Sequence, residues 1–73
     1  MARADVRVLP DAGNWKVTLN GVRQAAYPNK PPAIDHGVRV AKANQPSSLR
    51  IHRADGTIED ERTYGDDPFP PRG

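Results

Sequence analysis

A chain of 73 residues with net charge +2, 36% hydrophobic residues and no cysteine describes one small domain. At this length folding buries only about 60% of the surface that the unfolded chain exposes, so the core is thin. The lack of cysteine excludes disulfide-stapled scaffolds and thiolate metal sites, which leaves hydrophobic burial, helped by self-association, to hold the fold together.

Residues 5–10, Asp-Val-Arg-Val-Leu-Pro, alternate with Val6 and Val8 on one face and predict a first strand. Pro10 ends it, and Asp11-Ala12-Gly13-Asn14 is a turn cluster. Residues 15–20 alternate again, with Trp15, Val17 and Leu19 inward and Lys16 and Thr18 outward. Asn20-Gly21 is a strong hairpin signal, because a type I′ turn needs positive φ at both central residues. A third strand over 22–26 completes an antiparallel meander. Residues 27–32 read as a linker containing Pro28, Pro31 and Pro32. Pro32 suits a first helical turn, where its missing N–H costs nothing.

From Pro32 to about Asn44, the recurrence of Ala33, Ile34, Gly37, Val38 and Ala41 predicts a helix with one apolar stripe. Gly37 inside that helix costs about 1 kcal/mol relative to Ala, and a close approach of helix to sheet, over the Trp15 ring, is the expected compensation. Asn44-Gln45-Pro46 stops the helix. Residues 48–53 form a strand with Leu49 and Ile51 in and Arg50 and His52 out. Asp55-Gly56 is a second tight turn, followed by a short strand over 57–60. The predicted order is β-β-β-α-β-β in a single domain spanning residues 1–62. Residues 63–73 then form a proline-rich tail. Pro68, Pro70 and Pro71 favour an extended path there, and Tyr64 and Phe69 can pack back on the domain or meet a partner.

Charge is unevenly spread. Residues 1–53 hold nine Lys or Arg against three Asp, whereas residues 54–73 hold two Arg against six acids. A basic body with an acidic end attracts anions or neutralises itself when folded, and the second reading needs no partner. Residues 1–10 carry Arg3, Asp5 and Arg7 and no apolar run, so no signal peptide is expected. No segment approaches the ~20 apolar residues of a membrane span. A cytoplasmic, soluble bacterial or viral protein is the expectation.

Several of these segments carry a resemblance. They are Trp15-Lys-Val; Ala33-Ile34 with Arg39 and Ala41-Lys42; Leu49-Arg-Ile-His-Arg-Ala-Asp-Gly-Thr-Ile58; and Tyr64-Gly-Asp-Asp-Pro68. In this order the chain resembles the small bacterial domain-of-unknown-function family 2188 (DUF2188), most strongly over residues 49–71. Gly37 stands where such helices tend to carry Ala, and Pro31-Pro32 replace a polar, capping-type entry. The resemblance implies the fold and supplies no activity.

No residue pattern here calls for catalysis. Trp15 at the inward end of a strand reads as core. His36 and His52 lack any metal-ligand spacing and read as solvated surface histidines. Ser47 and Ser48 lie outside any nucleophile-elbow context and read as turn residues. Asp66-Asp67 is ordinary turn chemistry before a proline, and there is no Gly-rich phosphate loop. No enzyme, no cofactor and no small-molecule substrate is therefore expected. Arg7, Lys16, Arg23, Arg39, Lys42, Arg50 and Arg53 are the candidate basic surface.

The fold class that follows is α+β, a small antiparallel sheet with one helix on one face. The leading functional expectation is a non-catalytic binding or adaptor module. It contacts another protein, or itself, through a sheet edge and the tail residues Tyr64, Asp67, Pro68, Phe69, Pro70 and Arg72. One alternative is a nucleic-acid-binding accessory protein using Arg7, Lys16, Arg50 and Arg53. Another is a small phage or mobile-element inhibitor of a host complex.

Overall fold

The computed structural model describes residues 3–65. Five strands and one helix follow in the order β1 (Ala4–Asp11), β2 (Asn14–Leu19), β3 (Val22–Tyr27), α1 (Lys30–Ala43), β4 (Ser47–His52) and β5 (Ile58–Tyr64). They build one sheet in the order β3-β2-β1-β4-β5 with the helix packed on one face. The fold class is the expected α+β.

Both hairpins of the meander use tight turns at positive φ, Ala12-Gly13 at 53° and 87° and Asn20-Gly21 at 51° and 86°. Such angles at both central residues match the right-handed twist of the flanking strands. Asn20 also ties the second turn to β1. Its N–H donates to the Asp5 carbonyl at 2.7 Å, and its Oδ1 accepts from the Asp5 N–H at 2.9 Å.

The sheet departs from the expected antiparallel arrangement in one pairing, because β4 runs parallel to β1. The reason is the helix. β3 finishes at the end of the sheet where β1 finishes, and 14 helical residues, about 21 Å at the standard rise, carry the chain back to where β1 begins. A strand entering from there runs with β1. It occupies the place beside β1, with β5 returning antiparallel outside it. β4 is therefore central, and Ser47, Ser48, Leu49, Ile51 and His52 are all buried. This overturns the reading of Ser47 and Ser48 as turn residues and of His52 as a solvated histidine. The Ser47 hydroxyl donates to the Ala41 carbonyl at 2.6 Å, which also accepts the Asn44 N–H at 3.2 Å at the helix end.

The helix starts two residues earlier than expected, at Lys30, with Pro31 and Pro32 inside its first turn. A linker of two residues, Pro28-Asn29, then suffices, since β3 runs on to Tyr27. β5 is also longer than expected and ends at Tyr64, beyond the anticipated domain limit at 62. At the turn before it, the Asp55 carboxylate accepts from the Thr57 N–H at 3.0 Å and the Thr57 hydroxyl at 2.7 Å.

The core comprises Val6, Val8, Val17, Leu49 and Ile51 from the sheet and Ala33 and Ala41 from the helix. Gly37 faces them, but not over the Trp15 ring. A Cβ there would stand 2.8 Å from Val8 Cγ2, 3.2 Å from Leu49 Cδ1 and 4.0 Å from Val17 Cγ1. Trp15 is half-buried at the rim of this core rather than at its centre, and Lys30 Nζ lies 4.9 Å over its ring. That placement adds a cation–π contact to apolar packing.

Candidate functional site

Alternation along the strands sends one set of side chains to the helix and the other to an open face. On the open face β1 contributes Asp5, Arg7 and Leu9, β2 contributes Lys16 and Thr18, and β4 contributes Ser48, Arg50 and His52. Glu61 and Thr63 of β5 pair with Arg50 and Ser48 respectively. Thr18, Ser48 and His52 are small or flat and are buried as a floor between the longer chains.

The basic residues of this face are mostly answered by acids. Asp5 accepts from Arg7 Nε at 3.1 Å and from Arg50 Nη1 at 3.1 Å, and Arg50 Nε reaches Glu61 Oε2 at 3.3 Å. The result is a chain Arg7–Asp5–Arg50–Glu61 across three strands. Each exposed pair contributes little to stability, at most about 1 kcal/mol, but together they cancel the positive field expected there. Lys16 and Arg23 make no ion pair among the described residues. Of the four residues considered for nucleic acid, Arg7, Lys16 and Arg50 do share the face. Arg53 does not, because it lies past the end of β4, where its Nη1 approaches the Thr57 hydroxyl and the Ile58 carbonyl, each at 3.3 Å. Asp67, Pro68, Phe69, Pro70 and Arg72 lie outside the described residues, while Tyr64 packs partly buried against the core.

His52 and His36 each have a specific role. His52 Nδ1 is 2.8 Å from the Gly56 carbonyl, so it carries the proton and anchors the β4–β5 turn. His36 Nδ1 is 2.8 Å from the Tyr27 hydroxyl, joining the helix to β3. Neither contact was visible in sequence spacing. Among the described residues no three His, Asp or Glu gather within metal-binding range, and no helix is long and apolar enough to cross a membrane.

The two sheet edges differ. β5 presents Glu59, Asp60, Glu61 and Arg62, with Glu59 paired to Lys30 and Asp60 to Arg62 at 3.1 Å. Charges of this density discourage pairing with another strand. β3, Val-Arg-Gln-Ala-Ala-Tyr, has one charge, and its Val22 is 63% exposed. A bulge places the extra residue Gln24 between the pairs Thr18–Arg23 and Val17–Ala25, and the Gln24 amide donates to the Val22 carbonyl at 3.1 Å. This blunts the first half of the edge. The second half, Ala25-Ala26-Tyr27, is regular and uncharged.

A family model described as an uncharacterized protein conserved in bacteria, DUF2188, matches residues 6–64. The chain belongs to the DUF2188 family. The match runs from the first core valine of β1 to the last residue of β5, so it takes in the helix and all of the sheet but Ala4 and Asp5. No curated protein and no solved structure matches this DUF2188 member.

One consequence can be measured at the turn that closes the DUF2188 sheet. Hydrogen bonds from the Thr57 N–H and then from its hydroxyl favour the charged Asp55 carboxylate and hold its pKa below the usual 3.8. A depressed folded-state value stabilises above the unfolded pKa and is lost as pH falls through the folded one. An NMR titration is expected to place the Asp55 midpoint below 3.8, and a midpoint at or above it would remove the turn geometry described here.

Proposed function

We propose that this chain is a non-catalytic, cytoplasmic binding module that contacts another protein by strand addition at the β3 edge. The observation that carries this reading is the contrast between the edges. β5 is guarded by charge, whereas Ala25-Ala26-Tyr27 offers an uncharged edge, with Val22 exposed at the far end of the same strand. Main-chain pairing at such an edge supplies affinity, and alternate side chains supply selectivity. The nucleic-acid reading loses support from the acids that occupy Arg7 and Arg50, since a phosphate would have to displace them.

The test is Ala26→Glu, which places a charge on an exposed position of the edge without entering the core. Binding of protein partners by the immobilised domain is expected to be lost, with the circular dichroism spectrum unchanged. Arg50→Glu is expected to leave that binding intact. Partners retained by Ala26→Glu but lost by Arg50→Glu would move the interface to the open face and defeat the proposal.

A further inference from the structure

The charges around the β3 edge bear on what it binds. Lys16 and Ala26 are cross-strand partners, and so are Thr18 and Arg23. Both cations therefore rise on the open face close to the edge, neither is neutralised among the described residues, and the methyl group of Ala26 leaves the path from Lys16 to the edge clear. A strand added beyond β3 lies about 4.8 Å further out, so its residue opposite Ala26 stands about 9.6 Å from the Lys16 backbone. A lysine and a carboxylate reaching toward each other close that gap. On the helix side the edge shows Ala25, Tyr27 and Val22, which an apolar residue would cover.

We infer that the occupant of the β3 edge is an extended acidic segment of another protein, alternating apolar residues with Asp or Glu. This rests on the reading of β3 as the binding edge. The acids face Lys16 and Arg23, and the apolar residues lie over Ala25, Tyr27 and Val22. A second copy of this chain fits less well. Pairing β3 with β3 brings together two edges of the same sign, and in β5 Glu59 is engaged by Lys30 and Glu61 by Arg50. The chain's own acidic residues Asp66 and Asp67 are followed by Pro68, Pro70 and Pro71, which have no N–H to give a ladder.

The probes are a fluorescein-labelled peptide Thr-Val-Glu-Val-Glu-Val-Thr and its counterpart with Lys in place of both Glu. Anisotropy titration of the full chain is expected to show binding of the acidic peptide alone, with amide shifts in an NMR spectrum centred on Ala25, Ala26 and Tyr27. Reversing both cations (Lys16→Glu with Arg23→Glu) is expected to weaken it about tenfold, the combined worth of two exposed pairs. Arg23→Glu alone, at an exposed site, gives a smaller loss and guards against misfolding of the double variant. Equal binding of both peptides, or indifference to charge reversal, overturns the acidic occupant. So does binding of neither peptide, and sedimentation then shows whether a second copy fills the edge instead. Self-association abolished by Ala26→Lys keeps β3 as an edge filled by a second copy, whereas no effect of Ala26→Lys removes the edge reading as well.

Discussion

Replacing Gly37 with leucine is expected to destabilise the domain by about 3 kcal/mol, the upper end of what overpacking a filled core costs. The first added atom already meets Val8 Cγ2 at 2.8 Å and Leu49 Cδ1 at 3.2 Å, and both belong to strands held on two sides. Gly37→Ala sets two effects against each other. The helix gains about 1 kcal/mol of propensity, and the new methyl forces Val8 or the helix to move at about 1–3 kcal/mol. A net loss of about 1 kcal/mol is expected, or a fall of about 4–8 °C in Tm for a domain this small. If sterics are the cause, Val8→Ala in the same chain makes room, and the pair should couple by about 0.5–3 kcal/mol in a double-mutant cycle. A rise in Tm for Gly37→Ala would mean that helix and sheet are not in close contact at this point.

Leu49→Ala is expected to cost more, about 2–5 kcal/mol from lost burial and the cavity left behind. Leu49 is the largest fully buried side chain among the described residues and sits in β4, between β1 and β5 and beneath Gly37. No aromatic residue is fully buried among those described, so no larger group shares its role. Small domains have about 5 kcal/mol to lose, and a substantial unfolded fraction at 37 °C should follow. Urea unfolding followed by circular dichroism measures it. Leu49→Met keeps the volume and is expected to cost below about 1.5 kcal/mol. A loss under about 1 kcal/mol for the alanine variant would place the core elsewhere.

The features legible in the sequence are those set by short-range physics. Alternation placed Val6, Val8, Val17, Leu49 and Ile51 inward, Asn20-Gly21 announced its turn, and the i, i+3, i+4 stripe found Ala33, Gly37 and Ala41. The parallel placement of β4 beside β1 is a long-range choice that leaves no local mark. The burial of His52 follows from that choice, since its outward position lies on an interior strand between β1 and β5. The neutralisation of the open face was half legible. Asp5 and Arg7 are two apart on one strand and so share a face, but Glu61 reaches Arg50 only through the β4–β5 register. The unequal edges were likewise hidden until the strand order was known.

Fluorescence anisotropy with labelled single- and double-stranded DNA and RNA, at about 50 and 200 mM salt, most directly weighs the β3 edge against the open face. A face whose Arg7 and Arg50 are already held by Asp5 and Glu61 makes few phosphate contacts, so binding should be weak and change less than tenfold between the two salt concentrations. Affinity that falls by about 10³ or more over that range, and disappears in Arg50→Glu, would mean that the open face binds phosphate after all.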